Sequence, residues 1–146
     1  MTTADLEQVV SLAKAVDLNG WDESDFENEL VNSVSLLFVA VSDGKITGYV
    51  FVRLITPIVE IISIAVLPEE RRRGIGKGLL QKVIQKTAEA EFTECWLEVR
   101  EPNLSAINFY LSMGFEIVGR RRNYYSNPLA DAILMTLVYS KDNPKN

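Results

Sequence analysis

The chain has 146 residues, 47% of them hydrophobic, which predicts one folded domain over residues 1–146 rather than a disordered segment. Its 15 basic and 20 acidic residues give a net charge of −5, which argues against nucleic-acid binding through a broad basic surface. With no histidine and one cysteine, the chain has no Ser-His-Asp or Cys-His nucleophile system, no zinc-site spacing and no internal disulfide. Acid–base chemistry must then use Glu, Asp, Tyr, Lys or Cys, and we expect no metal.

The ends and the apolar runs of the chain predict a cytoplasmic protein without a membrane partner. Residues 1–5 have neither the basic start nor the apolar core of a signal peptide, and no apolar run reaches the length of a bilayer span. The single cysteine, Cys95, fits a reducing compartment.

Hydrophobic periodicity predicts two helices and then three strands in the first half of the chain. The helices cover 4–16 and 21–32, and the strands cover 36–41, which reads as buried, 46–54 and 58–66. Asp43-Gly44 predicts a hairpin turn between the first two strands.

The second half alternates helices and strands. Helices are predicted over 74–91 and 104–113, strands over 92–99, 115–122 and 131–140, a loop over 123–130 and a polar tail over 141–146. Gly114 should end the second of these helices. This order predicts an α+β domain with a mixed sheet covered by helices on both faces.

A glycine-rich turn, Arg71-Arg72-Arg73-Gly74-Ile75-Gly76-Lys77-Gly78, joins a predicted strand to a predicted helix. The first amides of a helix have no internal partner, and the glycines let a phosphate approach the backbone closely. The three arginines add forked donors suited to phosphate. The turn therefore predicts a site for an anionic ligand.

Spacing separates the known kinds of phosphate-binding turn. A Walker loop fails because Arg71 replaces its first glycine and Gly78 replaces its Ser or Thr. A dinucleotide fingerprint fits at Gly74 and Gly76 but meets Leu79 at its third glycine, although Glu98 stands at the right distance for a ribose-binding acid. A basic loop that only caps a helix is the other alternative, but Gly78 inside a helix costs about 1 kcal/mol relative to Ala and needs a reason.

The spacing of Arg71, Gly74 and Gly76 resembles the signature of the GNAT superfamily of acetyl-CoA-dependent N-acetyltransferases. From residue 5 to 137 the chain is similar to one branch, the ribosomal-protein-alanine N-acetyltransferases, which acetylate a protein N-terminus. The similar stretches are 60–66, 97–100 with Asn103, 106–110, 113–115, 119–125 and 131–132 with Met135. Asn19-Gly20 departs from the Phe-Pro of that family, and its first strand is missing or very short.

The resemblance implies a GNAT fold, with a mostly antiparallel sheet of six to seven strands and about four helices. It implies that Glu98 is the general base and Tyr110 the general acid. The residues it implies for acetyl-CoA binding are Ile64, Ala65, Val66, Arg71, Arg72, Arg73, Gly74, Ile75, Gly76, Lys77, Gly78, Asn103 and Tyr110. Those it implies for the peptide groove are Glu60, Tyr124, Tyr125 and Asp131.

Each candidate also has a plainer interpretation. Glu98 is compatible with a solvated carboxylate paired with Arg100, Tyr110 with a core residue and Asn103 with a helix cap. The groove residues are equally compatible with ordinary edge and loop positions, and Cys95, which faces away from Glu98, with core packing.

The leading hypothesis is an acetyl-CoA-dependent enzyme, a monomer or weak homodimer, that acetylates a free protein N-terminus. The acceptor would be alanine on a small-subunit ribosomal protein. Two alternatives remain open: an acetyltransferase for lysine or a small amine, and a non-catalytic acyl-CoA-binding module.

Overall fold

The structure is a computed structural model that describes residues 5–15, 23–31, 34–126 and 129–139. Within these ranges lie four helices, α1 (Leu6–Ala15), α2 (Glu23–Leu30), α3 (Ile75–Ala88) and α4 (Leu104–Ser112). The strands are β1 (Ser35–Ser42), β2 (Lys45–Ile55), β3 (Ile58–Val66), β4 (Glu94–Arg100), β5 (Glu116–Ser126) and β6 (Leu129–Val138). The Asn19-Gly20 departure and the predicted tail lie outside the described residues.

The six strands form one sheet in the order β1-β2-β3-β4-β6-β5. Four of the neighbouring pairs are antiparallel, and only β3 and β4 run parallel. The mixed, mostly antiparallel sheet is therefore confirmed. No helix in the described part is long and apolar enough to cross a membrane.

Each face of the sheet carries its own apolar core. One core joins the sheet to α3 and α4, and it includes Leu80, Val83 and the buried β4 residues Cys95, Leu97 and Val99. The other joins the sheet to α1 and α2 through Val9, Phe26, Tyr49 and Phe51. The prediction of helices on both faces is confirmed, and so is the alternation along β4.

The parallel pair β3 and β4 separates after a short contact. Their pairing covers only 58–60 against 94–96, although β3 continues to Val66 and β4 to Arg100. Beside this point the pairing of β2 with β3 shifts register, because Ile61 and Ser63 oppose neighbouring residues and Ile62 is left over as a bulge. We call the gap between the carboxyl-terminal halves of these strands the β3–β4 opening.

Two details of the sheet were predicted wrongly. β1 is an edge strand whose side chains are at most half-buried, so the buried strand expected over 36–41 is incorrect. Its apolar run is explained by partial burial on both sides, where Leu36 and Phe38 pack against the core on the α3–α4 side and Leu37 and Val39 against the core on the α1–α2 side.

The loop expected over 123–130 is mostly strand, since β5 extends to Ser126 and β6 begins at Leu129. Tyr124 and Tyr125 therefore lie on β5. The polar residues here do not end the strand but form an irregularity, at which Asn123 takes a positive φ of 53° and donates its amide to Asp131 Oδ1 at 2.9 Å.

Candidate active site

The glycine-rich turn leaves the carboxyl end of β3 and begins α3. Arg71 donates from Nε to the Val66 carbonyl at 3.3 Å, and Arg73 pairs with Glu70 at 3.2 Å. Gly74 adopts a left-handed conformation, φ 80°, and no side chain caps the helix there. The first amides of α3 are thus left for another acceptor, and the exposed side chains of Arg71 and Arg72 lie beside them.

The glycines inside α3 differ in what surrounds them. A Cβ at Gly76 would lie 3.6 Å from the Phe109 ring and 3.8 Å from Val66, which brings the start of α3 close to α4. A Cβ at Gly78 would meet no atom within 4 Å. Packing within the described chain therefore gives no reason for glycine at position 78.

Glu98 occupies the carboxyl-terminal half of β4, at the β3–β4 opening. Its Oε1 lies 3.5 Å from Arg121 Nε, and its Oε2 is buried without a hydrogen-bond partner among the described residues. The suggested pairing with Arg100 is wrong, because the ion pair of Glu98 is with Arg121, whereas Arg100 lies over the Tyr125 ring at 4.4 Å. A buried acceptor atom without a donor is costly and is a mark of functional sites.

Glu98 shares its sheet face with Glu60, Trp96 and Arg100. Glu60 pairs directly with Trp96 across β3 and β4, and side chains of paired residues point to the same side. This face, which we call the acceptor face, is opposite to the core formed with α3 and α4. Trp96 is half-buried and donates from its indole to Glu94 at 2.8 Å.

Two aromatic residues of β5 stand beside the acceptor face. The Tyr124 and Tyr125 rings meet edge to face at 5.1 Å, and the Arg121 guanidinium lies 5.4 Å from the centre of the Tyr124 ring. Burial raises the pKa of Tyr125, and the nearby charge of Glu98 raises it further. Tyr125 and Glu98 are thus close enough to interact, as the grouping of these residues in one site requires.

Asp131 of β6 connects this strand to β5 through two contacts. Besides accepting from the Asn123 amide, it pairs with Arg120 at 3.2 Å, and Arg120 also pairs with Glu101 at 2.7 Å. Its carboxylate is therefore engaged by the chain itself. Arg122 is exposed and pairs with no described acidic side chain.

Tyr110 lies on α4 in the core on the α3–α4 side, 7% exposed, between the rings of Phe109 and Phe115 at 5.2 and 5.6 Å. Burial raises the pKa of its phenol, and the potential charges of Cys95 and Tyr125 raise it further. Glu98 faces the other side of β4. The two candidate catalytic residues are therefore on opposite sides of the sheet.

Two candidates from the sequence have clear structural roles. Asn103 Oδ1 accepts from the Ala106 amide at 3.2 Å and so caps α4. Cys95 is fully buried, and burial raises the pKa of its thiol to about 12, which makes it a poor nucleophile. Among the described residues no cluster of acidic or cysteine side chains is arranged to hold a metal ion.

Sequence reasoning missed Trp96 and the contact of Arg121 with Glu98. Alternation along β4 placed Trp96 on the same face as Glu98, so that signal was present but not used. The Arg121 contact spans β6 and depends on a register that no local pattern specifies.

Comparison with known proteins gives a consistent result. The acetyltransferase (GNAT) family model matches residues 6–115. The ribosomal protein bS18-alanine N-acetyltransferase of Escherichia coli K12 is 30% identical over 142 residues, which cover 96% of this chain and 95% of that protein. The N-alpha-acetyltransferase of Sulfurisphaera tokodaii is 34% identical, covering 90% and 86% of the two chains. The crystal structure of the E. coli ribosomal-protein-S18-alanine N-acetyltransferase aligns with a TM-score of 0.86 over 94% of this chain and 90% of that chain, at 30% identity.

Proposed function

We propose that this chain, which belongs to the acetyltransferase (GNAT) family, transfers an acetyl group from acetyl-CoA to a protein N-terminal amine. The proposed acceptor is the N-terminal alanine of a small-subunit ribosomal protein, which would place the enzyme in the cytoplasm. The names of two relatives support this acceptor class, since one is an alanine N-acetyltransferase for ribosomal protein bS18 and the other an N-alpha-acetyltransferase. A dinucleotide-binding protein or a non-catalytic acyl-CoA-binding module does not fit a family of acetyltransferases.

The observation that carries the proposal is the unpartnered oxygen of Glu98. It lies on the acceptor face at the β3–β4 opening, where ligands bind in sheets of this kind. A carboxylate oxygen accepts hydrogen bonds and has no donor here among the described residues, so an amine or ammonium would satisfy it. We assign Glu60 and the Tyr124–Tyr125 pair to the two sides of the groove that receives the peptide.

The chemistry requires a base. An α-amine has a pKa of about 7.7–8.0, so near neutral pH much of it carries a proton and cannot attack. Glu98 removes that proton, directly or through water, and the neutral nitrogen attacks the thioester carbonyl. A carbon–nitrogen bond forms, the carbon–sulfur bond breaks, coenzyme A leaves as a thiolate, and the nitrogen loses its second proton to water to become the amide.

Tyr110 supplies the proton for that thiolate. A phenol, with an ordinary pKa of about 10, keeps its proton at neutral pH, so Tyr110 has a proton to donate. Tyr110 approaches from the α4 side. Glu98 would therefore act on the acceptor amine, and Tyr110 on the leaving sulfur, from opposite sides of the opening.

In this proposal the acyl donor lies along the β3–β4 opening, with its pyrophosphate on the turn at 71–78. The uncapped amides of α3 and the arginines of the turn suit this anion. Hydrogen bonds to a charged group contribute roughly 1.5–3 kcal/mol each, more than the helix dipole at about 0.3–1 kcal/mol. Ile64, Ala65 and Val66 of β3 and the cap residue Asn103 would line the rest of the path.

Substituting Glu98→Gln tests the proposal, because it keeps the shape and removes the basic group. We expect kcat to fall by about 10²–10⁴-fold while acetyl-CoA affinity, measured by calorimetry, stays near wild type. The loss should shrink toward alkaline pH, where the acceptor amine is already neutral. Glu101→Gln is the matched control, since Glu101 pairs with Arg120 outside the groove. A ratio of wild-type to Glu98→Gln rates that stays constant from neutral to alkaline pH would contradict the base role.

A further inference from the structure

Arg121 forms an ion pair with Glu98. Its Nε lies 3.5 Å from Oε1, and the other carboxylate oxygen, Oε2, is buried and unpartnered. Of the two oxygens of the proposed base, Oε1 thus pairs with a guanidinium, and Oε2 is left to accept a hydrogen bond from a ligand.

The sheet register explains how a β5 residue reaches a β4 residue across the strand between them. Arg100 of β4 pairs with Ala132 of β6, and Ala132 pairs with Arg121 of β5. Ala132 is small and buried, so the Arg121 side chain can cross above it and reach diagonally to Glu98, two residues before Arg100 on β4.

Arg121 is also held from its other side. Its guanidinium lies 5.4 Å from the Tyr124 ring, Tyr124 contacts Tyr125, and Tyr125 lies beneath Arg100. Arg100 follows Glu98 by two residues on β4, so this series of side-chain contacts begins and ends on the same strand. We call the series the circuit. The circuit fixes Arg121 relative to the strand that carries Glu98.

We infer that Arg121 is a positioning residue that holds Glu98 Oε1 so that Oε2 faces the acceptor amine. The inference rests on the proposed role of Glu98 as the base. A purely stabilising role is a poor explanation of the contact, because the Arg121 side chain is 56% exposed and exposed ion pairs add little to stability.

This role has a kinetic signature. The acceptor arrives partly as an ammonium ion, which Arg121 repels and Glu98 attracts. Loss of Arg121 removes the repulsion and frees the Glu98 carboxylate to rotate. We therefore expect a lower kcat without a higher KM for the acceptor peptide, whereas loss of a peptide contact would raise KM.

The experiment compares Arg121→Gln, Arg121→Lys and the neighbouring control Arg122→Gln, with an alanine-ended peptide as acceptor. We expect Arg121→Gln to lower kcat roughly tenfold to a hundredfold, as misplacement of a reacting group does, with KM not raised and an unchanged melting temperature. Arg121→Lys should recover part of kcat because it restores the charge, and Arg122→Gln should match wild type. A wild-type kcat in Arg121→Gln, or an equal loss in Arg122→Gln, would overturn the inference.

A double-mutant cycle separates this inference from the proposed function. If Arg121 acts through Glu98, adding Arg121→Gln to Glu98→Gln should cause no further loss of kcat. The same fold loss in both backgrounds would overturn the inference and leave the base role standing. A wild-type rate in Glu98→Gln alone would remove the base role and the inference together.

Discussion

The buried Tyr110 and the half-buried Tyr139 have different surroundings and different proposed roles. Burial raises the pKa of both, but the Tyr139 hydroxyl is 2.7 Å from Thr87 Oγ1, a bond that joins the end of the sheet to α3. Tyr110 instead lies among aromatic rings and is the proposed proton donor to the leaving thiolate. The comparison offers a matched pair of substitutions.

Tyr110→Phe removes only the hydroxyl, so we expect a loss of kcat of about 10²-fold with a change of about 1 kcal/mol or less in the free energy of unfolding. Tyr139→Phe should do the reverse, costing about 1 kcal/mol of stability with kcat unchanged. Steady-state kinetics and denaturant titration of both proteins give the comparison. Equal kcat values for Tyr110→Phe and wild type would favour a purely structural Tyr110.

At the scale of elements, the site depends on where β3 and β4 stop pairing. The sequence predicts the helix α3, the strand β3 and the alternation along β4, because these follow from local periodicity. The end of the β3–β4 pairing and the bulge at Ile62 depend on partner strands distant in sequence, so no local pattern specifies them.

The dependence of strand pairing on residues distant in sequence also explains the errors around β5. Asn123 and the polar residues after Tyr125 are typical of a loop, yet the bond from the Asn123 amide to Asp131 keeps β5 beside β6. The family resemblance identified Tyr124 and Tyr125 as groove candidates without placing them on a strand. The partner of Glu98 was missed because Arg100 is near in sequence, whereas Arg121 is near only in the folded sheet.

A substitution in the first turn of α3 should raise the stability of the free protein and lower its affinity for acetyl-CoA. Gly78→Ala should stabilise the free protein by about 1 kcal/mol, since alanine favours the helix and its Cβ meets no atom within 4 Å. If the acyl donor lies against this turn, the same methyl group should weaken acetyl-CoA binding. Thermal melting and calorimetry measure the two effects.

Gln85→Ala, an exposed position further along α3, serves as the control and should leave affinity unchanged. Tighter or unchanged acetyl-CoA binding by Gly78→Ala would contradict the placement of the donor at this turn.

At the scale of the whole molecule, charge is distributed according to the two proposed substrates. The net charge is −5, yet the exposed Arg71 and Arg72 make no ion pair with any described residue and leave the turn positive for an anionic donor. On β5, Arg120 and Arg121 are offset by acidic partners. The acceptor face therefore combines the Glu98 carboxylate with arginines whose charges are offset by acidic partners. Such a surface suits a positively charged peptide N-terminus.

The family match separates the candidate site residues into two groups. It covers residues 6–115, which include the turn, Glu98 and Tyr110. Arg121, Tyr124 and Tyr125 follow that segment. The proposed donor site and the proposed catalytic pair thus lie inside the segment that the family model matches, and the β5 residues beside the acceptor face lie after it.

The most direct test of the account is a competition between two peptides, read by mass spectrometry after incubation with acetyl-CoA. One peptide begins with a free alanine, and the other has the same sequence with a blocked N-terminus and an internal lysine. An α-amine is far less protonated near neutral pH than a lysine, whose pKa is about 10.4, so one carboxylate base suits it better. We expect faster acetylation of the alanine-ended peptide, at its N-terminus, whereas faster acetylation of the blocked peptide would contradict the proposed acceptor.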